Sequence, residues 1–385
     1  MPVFDLFFYG TLQYPDLLAC ILGHMPQTLP AHLPGYAVRQ VEGHAFPMIL
    51  PEPGAQAQGI LAQGLSEEDL AALDFYEGGF GYVTRELDVQ IHSGAHSALI
   101  FFPEEQNFEP GAPWEFGDWR REWGDITLRS AHEVMARRGV MGPEAIHQMM
   151  PFLQARSWAR ELASDPAPQR LRSSMGRDQI EIPAQRPGWN GFFTLTAFDL
   201  RYQRFDGKWS NLLSRECFVS FDVALVLPYD PATDRLLLVE QLRFGPIMRG
   251  DPAPWILEPV AGLVDARECP QATAHRETRE EANLQISEMI PMVKGYGSPG
   301  YSTEFYHCFL GIADLTGRGQ SHGGLAQEDE DIRNHVISFD HAMALLDSGE
   351  INAAPLAMML LWLARWRERQ DFRAGHGQSD ASDTP

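Results

Sequence analysis

Gly262-Leu-Val-Asp-Ala-Arg-Glu268-Cys-Pro-Gln-Ala-Thr-Ala-His-Arg276-Glu277-Thr-Arg-Glu280-Glu281-Ala-Asn283-Leu284 is the stretch that decides how the second half of the chain is read. Pro270 suits the first turn of a helix, where its missing N–H would have no partner anyway. Within that helix Glu277, Glu280 and Glu281 stand at i, i+3 and i+4. They share one face, with Cβ atoms roughly 5–6 Å apart. Three acids on one face repel one another at neutral pH. Two readings follow. The face is a solvated acidic surface, salt-bridged by Arg276 and Arg279, or it is a site where a hard divalent cation with oxygen ligands relieves the repulsion.

The wider spacing favours the cation. Gly262, five residues, Glu268, seven residues, Arg276-Glu277, two more, Glu280-Glu281, two more and Leu284 make a pattern that resembles the Nudix box. The resemblance implies a loop–helix–loop that binds Mg²⁺, or Mn²⁺, and cleaves nucleoside diphosphates linked to a further group. It implies metal ligands at Glu277 and Glu281, with Glu280 holding a metal or its water. The Ala261 carbonyl is a further ligand, and Glu268 and Arg276 fix the loop against the helix. Asn283 stands where the family usually has Gly. That position wants left-handed backbone, which Asn tolerates next best after Gly.

The likeness runs from about Gly191 to Trp366 and is closest to the ADP-ribose pyrophosphatases. It is carried by Gly191-Phe-Phe, Arg215-Glu-Cys-Phe, Glu240-Gln-Leu-Arg243, Trp255-Ile-Leu-Glu258, Ser298-Pro-Gly-Tyr-Ser-Thr-Glu304 and Glu328-Asp-Glu330-Asp-Ile-Arg333. The resemblance implies that Arg243, and Arg215 from a partner subunit of a homodimer, grip the pyrophosphate through guanidinium forks. Phe192 offers a π-face to adenine, Glu258 joins the substrate site, and Glu304 accepts from ribose hydroxyls. Glu328 is the base that activates water, Glu280 assists, and Glu330 is a further metal ligand. Metal would lower the pKa of bound water and draw charge off the leaving phosphate. Residue by residue, plainer roles stay open: Phe192 as core, Arg243 as a surface arginine, and Gln327–Asp331 as a solvated turn.

The first half carries a different signature. Phe8-Tyr9-Gly10-Thr11-Leu12 ends a strand, and Leu73-Asp74-Phe-Tyr-Glu77-Gly78 and Tyr82-Val-Thr-Arg85 follow. These segments resemble the γ-glutamylcyclotransferase-like (AIG2-like) family. The resemblance implies that Tyr9, Gly10, Thr11 and Leu12 present backbone N–H groups to a γ-glutamyl carboxylate. It makes Glu77 the acid/base that moves a proton as the α-amine attacks the γ-carbonyl, releasing 5-oxoproline. Burial among Phe75, Tyr76, Phe80 and Tyr82 would raise its pKa toward that task. A packing module without activity is the plainer reading. Two-domain proteins of this layout are also associated with tellurite resistance.

Composition sets the frame. The chain has 385 residues, with 30 Lys+Arg against 52 Asp+Glu and a formal charge of −22. That excess argues against a nucleic-acid binder that neutralises phosphates directly. It leaves phosphate substrates open, through metal held by carboxylates. Cys20, Cys217, Cys269 and Cys308 form no C-x-x-C and read as reduced thiols of a cytoplasmic protein. With no basic residues before it and an acid within it, the first apolar run reads as a strand rather than a signal peptide, and no long charge-free apolar run predicts a membrane span.

The expected organisation is α+β and α/β. Residues 1–115 form a small β-barrel with helices of the γ-glutamylcyclotransferase-like type. Residues 116–190 form a helical segment and a Pro-rich linker, 191–372 a Nudix α/β/α sandwich, and 373–385 a flexible tail. Strands are expected at Val3–Tyr9, Gly59–Gly64, Phe192–Phe198, Arg201–Phe205 and Cys217–Pro228. Ser66 and Ser130 are expected to cap helices, and a further helix spans Pro143–Leu162.

Overall fold

Leu6, Phe7 and Phe8 are all buried, yet they enter two different cores. Successive strand residues point to opposite faces. Phe7 packs with Leu33, Ile49, Leu61 and Ile100 inside a barrel, while Leu6 and Phe8 pack outward under helices. In this computed structural model, residues 2–78, 82–103, 108–165, 167–324 and 330–377 are described. They divide into two units, Met1–Asp165 and Pro166–Pro385.

In the first unit β1 (Phe4–Phe8), β2 (Gln27–Val41), β3 (Pro47–Leu65), β4 (Tyr82–Ile91) and β5 (Gly94–Pro103) close on themselves. The order is β3-β1-β5-β4-β2 with β2 returning to β3, and β6 (Pro110–Pro113) adds outside β2. Gly59 lets the wall close: a Cβ there would stand 2.3 Å from the Phe8 carbonyl oxygen. Four helices follow the barrel's outer core: α1 (Pro15–Leu22), α2 (Glu67–Glu77), α3 (Phe116–Met135) and α4 (Pro143–Leu162). The Ser66–Asp69 capping box starts α2, as its sequence requires.

Three sequence expectations need correction here. Ser130 caps nothing. It lies inside α3, 2% exposed, and its hydroxyl donates back to the Ile126 carbonyl at 2.8 Å, a bond open to any mid-helix serine. The strand at Gly59–Gly64 is only the end of β3, whose earlier part is masked in sequence by prolines and a Gly at a bend. The helices after residue 115 are part of the first unit, with Trp119, Val134, Ile146 and Leu153 sharing the core of Leu6 and Phe8.

The second unit opens with a three-stranded antiparallel sheet of β7 (Ile180–Asn190), β8 (Thr194–Tyr202) and β9 (Leu213–Val219). Thus β7 occupies the end of the stretch expected as linker. Phe192–Phe198 and Arg201–Phe205 are replaced by the single strand β8, and Cys217–Pro228 divides at Ser220 between two sheets.

An eight-stranded mixed sheet follows. Its chain order is β10 (Asp222–Asp230), β11 (Arg235–Leu242), α5 (Phe244–Arg249), β12 (Trp255–Glu258), β13 (Val260–Leu263), α6 (Pro270–Ala282), β14 (Glu288–Tyr296), β15 (Phe305–Ile312), β16 (Ser321–Gly323), β17 (Ile332–Ser338), α7 (Phe339–Ser348) and α8 (Ala354–Gly377). The strands run β14-β15-β10-β11-β17-β16, with β12 on β11 and β13 on β10. Leu225, Leu227 and Tyr229 pack against Leu356, Met359, Leu360 and Leu363 of α8. Ala224 and Val226 point the other way, toward the side on which α6 meets β10 and β13. The result is an α/β/α sandwich with α6 on one face. No helix among the described residues is long and apolar enough to cross a membrane.

Candidate active sites

The three glutamates of α6 are set by the loop before the helix and the turn after it. Gly262 on β13 lies against Glu277, so closely that a Cβ would meet its carboxyl carbon at 1.9 Å. Glu281 is 2% exposed and its carboxylate accepts the Ala261 N–H at 3.1 Å. Gly323 lies against the Glu281 carbonyl oxygen, where a Cβ would stand at 1.6 Å, and Asn334 Nδ2 donates to that oxygen at 3.0 Å. Asn283 ends the helix in the left-handed region at φ 46°, ψ 44°, as its replacement of Gly predicts.

Arg276 is the hub of this cluster. Its guanidinium donates to Glu277 at 2.5 Å, to Glu280 at 3.1 Å, to Glu268 at 3.1 Å and to the Leu263 carbonyl at 3.2 Å. Glu268 also accepts the Thr273 hydroxyl at 2.8 Å, so loop and helix are tied. Arg279 takes no part and donates to the His275 carbonyl. Burial pushes the Glu277 carboxyl up to about 7, with Glu280 and Glu330 adding repulsion against the pull of Arg276. Glu281 is raised well above its ordinary range, again by burial first, with Glu277 and Glu330 pushing the same way. Glu277, Glu281 and Glu330 therefore feel one another across a desolvated space. Among the described residues no three such groups already stand at chelating distance, and Arg276 holds two of the acids. The donor set, oxygen-rich and crowded with like charge, fits a hard divalent cation. Glu328 lies outside the described residues.

Beside the acids runs a second chain of contacts. Arg243, at the end of β11, donates through Nε to Glu258 at 2.6 Å and lowers the pKa of Glu281. Burial raises Glu258, and Tyr306 feels its charge. The Tyr306 hydroxyl donates to Glu304 at 2.6 Å. Arg243, Glu258 and Glu304 thus belong to one polar surface flanking the glutamates. Phe192 is 44% exposed, edge-on to Phe193 at 4.8 Å and tilted against Phe221 at 6.4 Å. Arg215 is exposed on β9, hydrogen-bonded to the Ser214 carbonyl at 2.7 Å.

The first unit holds a separate cavity of about 460 Å³. Tyr9, Gly10, Thr11, Leu12 and Glu77 all line it, so the structure brings the turn and the expected acid together. The chain turns at Gly10–Gln13 in a single 3₁₀ turn after β1, with Gln13 Nε2 on the Tyr9 carbonyl at 2.8 Å. Burial alone pushes Glu77 up to about 7. Burial also raises Tyr76 and Tyr82, which share the wall, and the Glu77 charge adds to it. The Tyr82 hydroxyl donates to the Pro47 carbonyl at 2.8 Å. Phe75 lies instead in the packed core, and Phe80 is outside the described residues.

Sequence reasoning missed two features. The glycine contacts of Gly323 come from a strand far down the chain, which no local pattern announces. The second is the cavity wall from α3 and α4, for which the signal was helical spacing: Trp119, Trp123, Thr127 and Ser130, then His147, Met150, Pro151 and Gln154.

Comparison with known proteins finds one family match in each unit. Residues 6–121 match the model of gamma-glutamyl cyclotransferase, AIG2-like, and residues 220–358 match that of the NUDIX domain. An ADP-ribose pyrophosphatase of Escherichia coli is 35% identical over 196 residues, covering 51% of this chain and 93% of that protein. The ADP-ribose pyrophosphatase of Haemophilus influenzae is 34% identical over 189 residues, covering 49% and 87%. A GDP-mannose pyrophosphatase of Escherichia coli is 28% identical over 174 residues, covering 45% and 89%.

Proposed function

We propose, for a chain that belongs to the Nudix hydrolases through its second half, that this half hydrolyses the pyrophosphate bond of ADP-ribose or a related nucleoside diphosphate sugar. The observation that carries the reading is the set Glu277, Glu281 and Glu330: burial raises the first two carboxyls, and the charge of Glu330 adds repulsion to both. Glu277, Glu281, Glu280, Glu330 and the Ala261 carbonyl would hold Mg²⁺ or Mn²⁺. Bound there, a divalent cation would acidify water and offset charge on the leaving phosphate. Arg276, bonded to Glu268, Glu277 and Glu280, holds the acids aligned. Arg243, oriented by Glu258, binds phosphate oxygens, and Glu304 binds ribose hydroxyls. Glu328 accepts the proton of the attacking water. Purified protein with Mg²⁺ should release AMP and ribose 5-phosphate from ADP-ribose. Equally slow hydrolysis of a nucleotide-sugar panel by wild type and Glu281→Gln would overturn the reading.

Exposed Trp189, Phe193, Tyr202 and Trp209 on and beside the β7–β9 sheet support a homodimer in which a second copy covers this sheet and brings its Arg215 to the site. Sedimentation of the purified chain tests this. The free state of all four cysteines fits a cytoplasmic location. The tellurite association rests on the two-domain layout, and no residue of either site accounts for it.

A second reading concerns the first unit. Glu77, raised to about 7 and set in the same wall as the Tyr9–Leu12 turn, supports γ-glutamyl cyclotransferase activity. Release of 5-oxoproline from γ-glutamyl compounds, lost in Glu77→Gln, tests it.

A further inference from the structure

Besides the Gln40–Pro47 segment, the cavity of the first unit has two unlike walls. One is the Tyr9–Leu12 turn with Glu77, the other a face of α3 and α4. The gamma-glutamyl cyclotransferase model ends at residue 121, before most of that second face. Trp119 and Trp123 come from α3, and His147, Met150, Pro151 and Gln154 from α4. The space of about 460 Å³ is within the usual ligand-pocket range of ~300–1,000 Å³. A γ-glutamyl group held at the turn would leave the helical side for whatever is attached to it.

The charge of the lining is informative. Among the described residues it holds one acid, Glu77, and no Lys or Arg. The arginines next in sequence to lining residues are engaged elsewhere. Arg39 pairs with Glu52 at 2.8 Å, Arg120 with Asp125 at 3.0 Å, and Arg129 with Glu161. Arg120 also lies over the Tyr14 ring at 3.9 Å. Burial, and the neighbouring His44, lower the pKa of His147, so its imidazole is neutral at pH 8. Among the described lining residues a carboxylate entering this side would find no Lys or Arg, and an ammonium no acid beyond Glu77. An unpaired buried charge is expensive, whereas tryptophan and methionine gain from burying an apolar ring.

We infer that the α3–α4 face is the leaving-amine subsite of this cavity, and that it selects γ-glutamyl derivatives of neutral aromatic or branched apolar amines over γ-glutamyl amino acids. This rests on the γ-glutamyl cyclotransferase reading of Glu77. In the reaction the α-amine nitrogen forms a bond to the γ-carbonyl carbon. The γ-amide C–N bond breaks, and the proton lost by the α-amine passes through Glu77 to the departing amine. No oxidant or co-substrate is needed. Trp119, Trp123, Met150 and Pro151 hold the amine's apolar part, and Gln154 and His147 supply neutral hydrogen-bonding groups.

The test is 5-oxoproline release by the full chain at pH 8 from γ-glutamyl benzylamide, γ-glutamyl methylamide, γ-glutamyl glycine and ε-(γ-glutamyl)lysine. The benzylamide should exceed both amino-acid conjugates in kcat/KM by at least ~10-fold. Trp123→Ala should raise KM for the benzylamide ~10-fold and leave kcat/KM for the methylamide within ~3-fold. Gln154→Lys, a change at a half-buried position, should raise kcat/KM for γ-glutamyl glycine by supplying the missing cation. Equal turnover of charged and neutral conjugates, with Trp123→Ala and Gln154→Lys both without effect on preference, overturns the inference and leaves the cyclotransferase reading standing. No 5-oxoproline from any of the four compounds removes that reading, and the inference with it.

Discussion

Glu77 in the first unit and Glu277 in the second are both raised to about 7 with burial as the first cause, yet their surroundings differ. Glu77 has no hydrogen-bond partner among the described residues, and burial is the single cause of its shift. Glu277 sits beside Arg276 and shares its space with Glu280, Glu281 and Glu330. The same carboxyl at the same apparent pKa is thus suited to two tasks. A lone, desolvated carboxyl poised near neutral pH suits proton transfer. A crowd of carboxyls with one arginine among them suits a divalent cation, because added positive charge relieves both the repulsion and the burial cost. Function here is read from what surrounds the carboxyl, not from its shift.

That contrast is most exposed to test at Glu281. Glutamine keeps the shape and can still accept the Ala261 N–H, but it removes the charge a cation needs. Glu281→Gln should lower ADP-ribose hydrolysis by about 10²–10⁴-fold while 5-oxoproline release from the first unit is unchanged. Chelation of metal should reproduce the same split. If chelation silences both activities alike, the contrast between a metal site and a metal-free proton carrier is wrong. The reciprocal change, Glu77→Gln, should cost the cyclotransferase about 10²–10⁴-fold and leave nucleotide hydrolysis intact.

The pH dependence sharpens the same point in stability. The carboxyl of Glu77 ordinarily titrates at 4.5 and is raised to about 7 in the fold. The folded state therefore prefers the protonated form. Its contribution is fully present below about 4.5 and is lost as pH rises through about 7. At pH 8 the wild type carries a buried charge that Glu77→Gln lacks, so the variant should unfold at higher temperature, by about 1–3 kcal/mol of stability. At pH 4 the two should coincide. A variant less stable than wild type at pH 8 would mean that the carboxylate is solvated or paired after all. Cyclotransferase activity should rise over the same interval, since the base must be ionised.

Why the two sites differed in legibility follows from how each is built. The α6 cluster was readable because its spacing is local: i, i+3 and i+4 on one helix fix a shared face. The Tyr9–Leu12 turn and Glu77 were readable as short motifs, though their meeting in one cavity depends on α2 sharing the core of Leu6 and Phe8. What was not readable came from distance or from masked pattern. Gly323 reaches Glu281 only because β16 pairs with β17 after a long excursion. The long β2–β3 hairpin hides behind Pro30, Pro34, Pro51 and Pro53, residues that read as breaks but occupy strand positions here. Ser130 shows the converse error: a capping-box spacing arose by composition inside a helix whose true start, at Phe116, has no side-chain cap.

The smallest effect tests the local end of that reasoning, at Asn283. Its backbone is left-handed at φ 46°, where Gly is unstrained and Asn is tolerated. Its N–H donates to the Arg279 carbonyl at 3.0 Å, and its main-chain carbonyl accepts from Arg318 at 3.2 Å. Neither depends on the amide side chain. Asn283→Gly should therefore change stability by no more than about 0.5–1 kcal/mol, because relief of strain is offset by the greater freedom of glycine in the unfolded chain. Asn283→Ala should cost about 1–2 kcal/mol, since alanine meets the left-handed penalty without the local hydrogen bonding open to asparagine. If alanine and glycine were equally harmless by thermal unfolding, the turn would be set by Arg318 and the β17 contacts rather than by the residue itself. The helix end would then be a tertiary feature, like Gly323, and not one written in the box.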